Sequence, residues 1–153
     1  MMQLKRIMIL AMLASIASTC AAPTMKRESD EYRKPGVYNF KFVGFDTDIK
    51  NPDNDRRSYY KIFIDKNEEG RTTTGLESQE KTFEIMLTPN RHLVTIEKWV
   101  LDQKTGRYIK LNNIEQPKPN YVYFSLPEGR IVIVELRCMK DGAAEYRLIY
   151  ERN

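Results

Sequence analysis

The sequence is poor in the residue types from which most catalytic and metal sites are built. Its 153 residues include two cysteines and one histidine. A lone histidine, His92, excludes a two-histidine metal site within one chain. It also leaves no convincing Ser-His-Asp or Cys-His constellation. The two cysteines, Cys20 and Cys138, cannot supply the disulfide framework that staples many small exported domains. Gly70 and Gly75 lack the strand–helix setting of a phosphate loop, so no phosphate or dinucleotide cradle is predicted. Acidic and basic residues alternate along the chain, and no basic stripe for nucleic acid emerges. No run of ten or more residues combines helical spacing with a cap. Neither a cofactor nor a metal site is expected.

What the chain does have is a period of two. Nine Tyr, six Phe and one Trp favour strands as the source of the core. In VYNFKFVGF, Tyr38, Phe40 and Phe42 alternate with polar neighbours. YYKIFI (59–64), TFEIML (82–87), HLVTIEKWVL (92–101) and RYIKL (107–111) follow. YVYFSL (121–126), RIVIVELRCM (130–139) and AEYRLIYE (144–151) complete the series. Phe83, Ile85 and Leu87 share one face, as do Val94, Ile96 and Val100. DKNEEG, TPNR, DQKTGR, LPEGR and MKDGAA supply the turns between them. About eight strands with regular turn spacing predict an all-β protein, an antiparallel β-sandwich, with a closed barrel as the alternative. QPKPN (116–120) interrupts the pattern and is expected to cross between sheets or wrap an edge. Segments 46–57 and 70–81 read as surface loops. In RIVIVELRCM the alternation places Cys138 with Val132, Val134 and Leu136, as a buried thiol rather than a nucleophile.

The stretch IDKNEEGRTTTGLE (64–77) imitates the first half of a calcium loop, with Asp65, Asn67 and Glu69 alternating before Gly70. The twelfth position, where a bidentate carboxylate belongs, is Leu76. The preceding YYKIFI is a strand, and RTTTG starts a helix poorly. The stretch therefore reads as a hairpin tip.

Residues 1–20 read as a secretory leader. MMQLKR is basic, IMILAMLASIA is apolar and too short to span a membrane as a mature helix, and STCAAP ends it in small residues. Once Lys5 and Arg6 leave with the leader, 23 of the 25 basic residues face 21 acidic ones, a net charge of +2. ASIASTC resembles the lipobox of bacterial lipoproteins, in which the cysteine is acylated. Ala17 stands where Leu is usual, and Thr19 replaces the commoner Gly, Ala or Ser. Such looser boxes are similar to those of spirochaete-like envelope lipoproteins. Lipidation at Cys20 is the favoured reading, and ordinary cleavage beside Cys20 is its rival. Residues 21–36 (AAPTMKRESDEYRKPG) are polar and aperiodic, a flexible tether ahead of a β domain over 37–153.

A second resemblance runs over residues 59–100. A strand ending in Asp65, a turn closed by Gly70, and then LTPNRHLVTI resemble a PEGA-type module. The family pattern falls on Asp65, Gly70, Leu87, Pro89, His92, Val94 and Ile96. Asn90 stands where Gly is common, and Asn tolerates the left-handed backbone that the turn requires. The resemblance implies a small carbohydrate-binding-like β-sandwich of a bacterial envelope protein, a scaffold rather than a defined reaction.

The functional expectation is a non-enzymatic, lipid-anchored envelope protein at the outer membrane or periplasmic face. It would touch the membrane through its N-terminal lipid and engage a protein or glycan partner, with no nucleic acid. Arg56, Arg57, Tyr59 and Tyr60 form a basic-aromatic cluster suited to such a contact. His92 is expected to hydrogen-bond the adjacent turn. A soluble secreted or periplasmic binding module is the alternative. A carboxylate-dependent hydrolase using Glu77, Glu84 or Glu97 ranks third.

Overall fold

The computed structural model describes residues 37–139 and 141–152. The leader, Cys20, the tether and Lys140 of the MKDGAA turn lie outside the described residues.

Among the described residues ten strands form two sheets, so the all-β sandwich expected from the alternation is the fold observed. The first sheet runs in the order β10 (Ala144–Arg152), β9 (Arg130–Cys138), β1 (Phe40–Asp46), β5 (Lys81–Ile85). The second is built on β2 (Arg57–Ile64) and β6 (Arg91–Asp102). β3 (Asn67–Arg71) and β4 (Gly75–Leu76) lie along one side of β2. β7 (Arg107–Lys110) and β8 (Tyr121–Ser125) share the far side of β6. Two short strands, β3 and β4, exceed the expected set because NEEGR and GL carry too few apolar residues to show a period. All named strand pairs are antiparallel except β1 with β9, which runs parallel and sets Asp46 beside Cys138.

The stretch that imitates a calcium loop is a two-residue hairpin. Asp65 and Lys66 have φ of 51° and 74°, and Ile64 pairs with Asn67 across them. Positive φ at both central positions is the backbone of the turn that matches the strand twist.

The core follows the predicted phase. Phe40 and Phe42 of β1 and Val132, Val134 and Leu136 of β9 are fully buried, facing Tyr60, Ile62, Val94 and Ile96 of the second sheet. Aromatic rings bridge the layers: Phe40 stacks on Phe124 at 5.0 Å, and Phe42 meets Tyr60 edge-on at 5.7 Å. Burying each Phe contributes roughly 2–3 kcal/mol. Gly44 has no side chain because none fits: a Cβ there would lie 2.7 Å from the Tyr60 ring.

β6 is long enough to serve two neighbours on one side. Residues 91–95 pair with β8, and 99–102 pair with β7. The segment 112–120 fills the gap. The Gln116 side chain accepts from Lys98 N and donates to the Lys98 and Leu111 carbonyls, while Ile96 N donates to the Asn120 carbonyl. The same segment reaches the first sheet, where Lys118 N donates to Gly142 O and Ala144 N donates to Lys118 O. QPKPN thus links the two sheets at an edge, as its composition predicted.

Candidate functional site

The sandwich has polar fittings at both ends. At one end the antiparallel pairing of β2 and β6 sets Asp65 beside His92. His92 Nδ1 lies 2.7 Å from the Asp65 carboxylate, and Nε2 lies 2.8 Å from the Thr88 carbonyl. The other Asp65 oxygen accepts from Leu93 N at 2.9 Å. Burial lowers the affinity of His92 for a proton, but the Thr88 carbonyl and the Asp65 carboxylate outweigh it and raise its pKa. The Leu93 amide, followed by His92, holds the Asp65 pKa below the usual carboxylate range. His92 thus ties the TPNR turn to the β2–β3 hairpin.

The other end carries the candidate site, a cleft of about 480 Å³. Asp46 and Cys138 reach it from the ends of β1 and β9, and Lys98 from β6. Segments 47–56 and 111–117, with Met139, Asp141 and Gly142, contribute its walls. At its base, Lys98 is 4% exposed and forms ion pairs with Asp46 and with Glu77, the latter at 2.8 Å. Arg56 holds Glu77 in a fork, with both donors at 3.1 Å. Tyr60 donates to Asp46 at 3.1 Å and lies 3.5 Å from the Cys138 sulfur. Lys81, fully buried, spends its three N–H groups on the carbonyls of Leu76, Glu77 and Gln79 at 2.7, 2.9 and 2.7 Å.

The sequence hides this cluster only partly. Lys98 is in phase with Val94, Ile96 and Val100, Lys81 with Phe83 and Ile85, and Asp46 with Phe40 and Phe42. A charge in an apolar phase is the signal for a buried ion pair. Glu77 carries no such signal, since it lies in a stretch read as a surface loop. The structure corrects that reading in part: Thr72, Glu77 and Lys81 are all buried, while Arg71, Thr73, Thr74, Ser78, Gln79 and Glu80 stay exposed. Asp46 N donates to the Glu77 carbonyl, so segment 70–81 is a surface loop pinned to the interior at those buried residues.

The electrostatics follow from these contacts. Burial resists charge on Glu77, but the hydrogen bond from Arg56 and the charge of Lys98 prevail and lower its pKa. Burial likewise opposes charge on Lys98, and Asp46 and Glu77 overcome it, so its pKa is raised. Among the described residues no carboxylate contacts Lys81, and burial pulls it down to about 8. Burial, then the Asp46 charge, push the Cys138 thiol up to about 11. Burial, above all, also raises the Tyr60 hydroxyl well above its usual value. Cys138 is the buried thiol expected from its phase, since a protonated sulfur is a poor nucleophile.

The four residues predicted to form a binding cluster do not share one surface. Tyr60 is fully buried, and Arg56 faces the cleft with its guanidinium on Glu77. Arg57 and Tyr59 lie on the opposite, outer face of the second sheet. There Tyr59 is 6% exposed, stacked on Trp99 at 6.0 Å and meeting Tyr108 at 5.0 Å. Arg71 lies over the Tyr59 ring and Lys61 over the Trp99 ring. With Tyr59 buried at its centre, this stack joins side chains of β3, β2, β6 and β7. The three carboxylates considered for hydrolysis are dispersed too. Glu77 is in the cleft, Glu84 pairs with Lys41 outside the first sheet, and Glu97 pairs with Lys110 outside the second.

Comparison with protein-family models, with curated proteins and with solved structures gives no match.

Proposed function

We propose that the chain is a non-enzymatic, lipid-anchored protein of the bacterial cell envelope whose sandwich engages a partner through the end cleft. The observation that carries this reading is the saturation of the cleft floor. Asp46, Glu77, Lys98 and Arg56 bind one another, and Cys138 holds its proton, so among the described residues of the floor no group is poised as a base or nucleophile. A reactive centre needs at least one such group within reach of a substrate. The wall offers another kind of chemistry. Ile114 is 78% exposed there, in a lining that also holds Leu111, Pro117, the acidic Asp48, Glu115 and Asp141 and the basic Lys50. An apolar knob in a wall with more carboxylates than cations suits a basic-apolar protein segment. A sugar ring calls for an open aromatic face, and the cleft lining holds none among the described residues.

The anchor rests on the leader and Cys20, and the partner reading on the cleft; they are tested together. Cells grown with a palmitate analogue are expected to label the wild-type chain and not Cys20→Ser. Envelope extract passed over the chain is expected to yield a protein whose retention is lost in Ile114→Glu. Label that survives Cys20→Ser, or a mature chain starting at Ala22 or Pro23 without acyl mass, overturns the anchor in favour of a soluble exported module. Retention unchanged in Ile114→Glu overturns the cleft as the docking site. Glycan hydrolysis abolished by Glu77→Gln in a chain that keeps its fold overturns the non-enzymatic reading.

A further inference from the structure

Among the described residues, β10 is an uncovered edge. It pairs with β9 alone, runs for nine residues, and contains neither proline nor a register shift. Proteins usually blunt such edges, because a row of free N–H and C=O groups is a template for another strand. The direction of those groups follows from the alternation of the ladder. Ala144 N donates to Lys118 O and Gly142 O accepts from Lys118 N, both away from β9. Even-numbered residues of β10 therefore point their backbone groups outward, and past Ala144 the groups of Tyr146, Leu148, Tyr150 and Arg152 have no strand of the described residues beside them.

We propose that β10 pairs with β10 of a second copy, antiparallel about a two-fold axis through Ile149, so that two four-stranded sheets become one continuous sheet. Three observations select this partner and this register. First, the contact with Lys118 already occupies Ala144, so the partner strand must start beyond it. The longest pairing that remains sets Tyr146 opposite Arg152 of the partner subunit and Leu148 opposite Tyr150 of the partner subunit. Both are hydrogen-bonded pairs, each exchanging two N–H···O bonds.

Second, this register sets Arg147 opposite Glu151 of the partner subunit, twice by symmetry. Neither residue forms an ion pair with a described residue of its own chain. Moving the partner by two residues in one direction sets Glu145 against Glu151; in the other it sets Ile149 against Glu151. Only the chosen register gives opposite charges on the outer face with an apolar pair between them. Third, Tyr150 is 45% exposed, a large ring that the partner's Leu148 would cover. The proposal is independent of the cleft and of the lipid anchor.

The test is disulfide trapping in the full chain, held in mild detergent and carrying Cys20→Ser. In the proposed register the two Ile149 Cα atoms face each other at a non-hydrogen-bonded position, about 4.5 Å apart, within the span a disulfide bridges. Ile149→Cys is expected to give a cross-linked dimer on mild oxidation. Ile133→Cys, on the same face but one strand further in, would lie about 14 Å from its copy and is expected to stay monomeric. Arg147→Glu alone and Glu151→Arg alone are each expected to lower the trapped dimer about tenfold, through two symmetric repulsions. The double exchange is expected to restore it. Circular dichroism confirms that each variant keeps its strands. Equal cross-linking of the Ile149 and Ile133 variants overturns the proposal. So does a double exchange that fails to restore the dimer, or capture of a different protein in place of the second copy.

Discussion

Lys98→Met is the sharpest probe of the cleft. Methionine preserves the apolar stem of the lysine and removes the charge. Lys98 is 4% exposed and its two carboxylate partners have side chains 15% and 4% exposed. Removing one member of a buried ion pair costs about 3–5 kcal/mol, because the other is left uncompensated. Glu77 keeps the Arg56 fork and Asp46 keeps the Tyr60 hydroxyl, so the lower end, about 3 kcal/mol, is expected. With a urea slope near 1.5 kcal/mol/M, the unfolding midpoint falls by about 2 M. The sole tryptophan, Trp99, is the adjacent residue and reports the transition by fluorescence. The deficit is expected to shrink as the pH drops and Glu77 takes up a proton. Asp46→Asn combined with Lys98→Met is expected to lose less than the sum of the two single changes, since both remove the same pair. A loss under about 1 kcal/mol, or strict additivity of the two changes, would refute the reading of Lys98 and Asp46 as a buried, mutually dependent ion pair.

The other expectations concern separate parts of the molecule. His92 titrates with a raised pKa, so its stabilising contribution is complete below the unfolded value near 6.5 and is lost as pH rises through the folded one. A proton NMR titration of the single imidazole with its midpoint at or below 6.5 would contradict this, and His92→Ala is expected to cost about 2 kcal/mol in urea unfolding. Gly44→Ala forces a Cβ to 2.7 Å from the Tyr60 ring and is expected to destabilise by about 1–3 kcal/mol, measured as a fall in Tm. Gly106→Ala, in open space, costs only its left-handed backbone, about 1 kcal/mol. In a Cys20→Ser chain, Cys138 is expected to resist thiol reagents until urea unfolds the protein. Rapid labelling of the native chain would show the cleft floor to be open.

The architecture was readable wherever a strand had an apolar face to declare. Phe40, Phe42, Val94, Ile96, Val132 and Val134 announce their strands because alternate burial is written directly as alternate chemistry. β3 and β4 were silent for the opposite reason: they complete the ladder along β2 with backbone groups, which any residue carries. The parallel pairing of β1 with β9 was not readable either, since the alternation gives a face but not a neighbour. The cluster was half legible. Lys98, Lys81 and Asp46 stand in apolar phase and could have been recognised, but their shared partner Glu77 is fixed by how a Thr- and Gly-rich segment folds inward. Tyr59 and Tyr60 show the limit of a local motif. Adjacent residues of a strand face opposite ways, so neighbours in sequence cannot line one surface, and the basic-aromatic run divides between the cleft side and the outer face.

The parallel contact of β1 with β9 also has a consequence in time. A chain emerging with its N-terminus first presents Phe40–Asp46 almost a hundred residues before Val132–Cys138 can lie against it. Until then β1, the first strand of the described residues, has β5 alone beside it, and the aromatic interior stays wet on one side. Closure of so distant a seam makes folding slow, and the first sheet is complete only when the last two strands arrive.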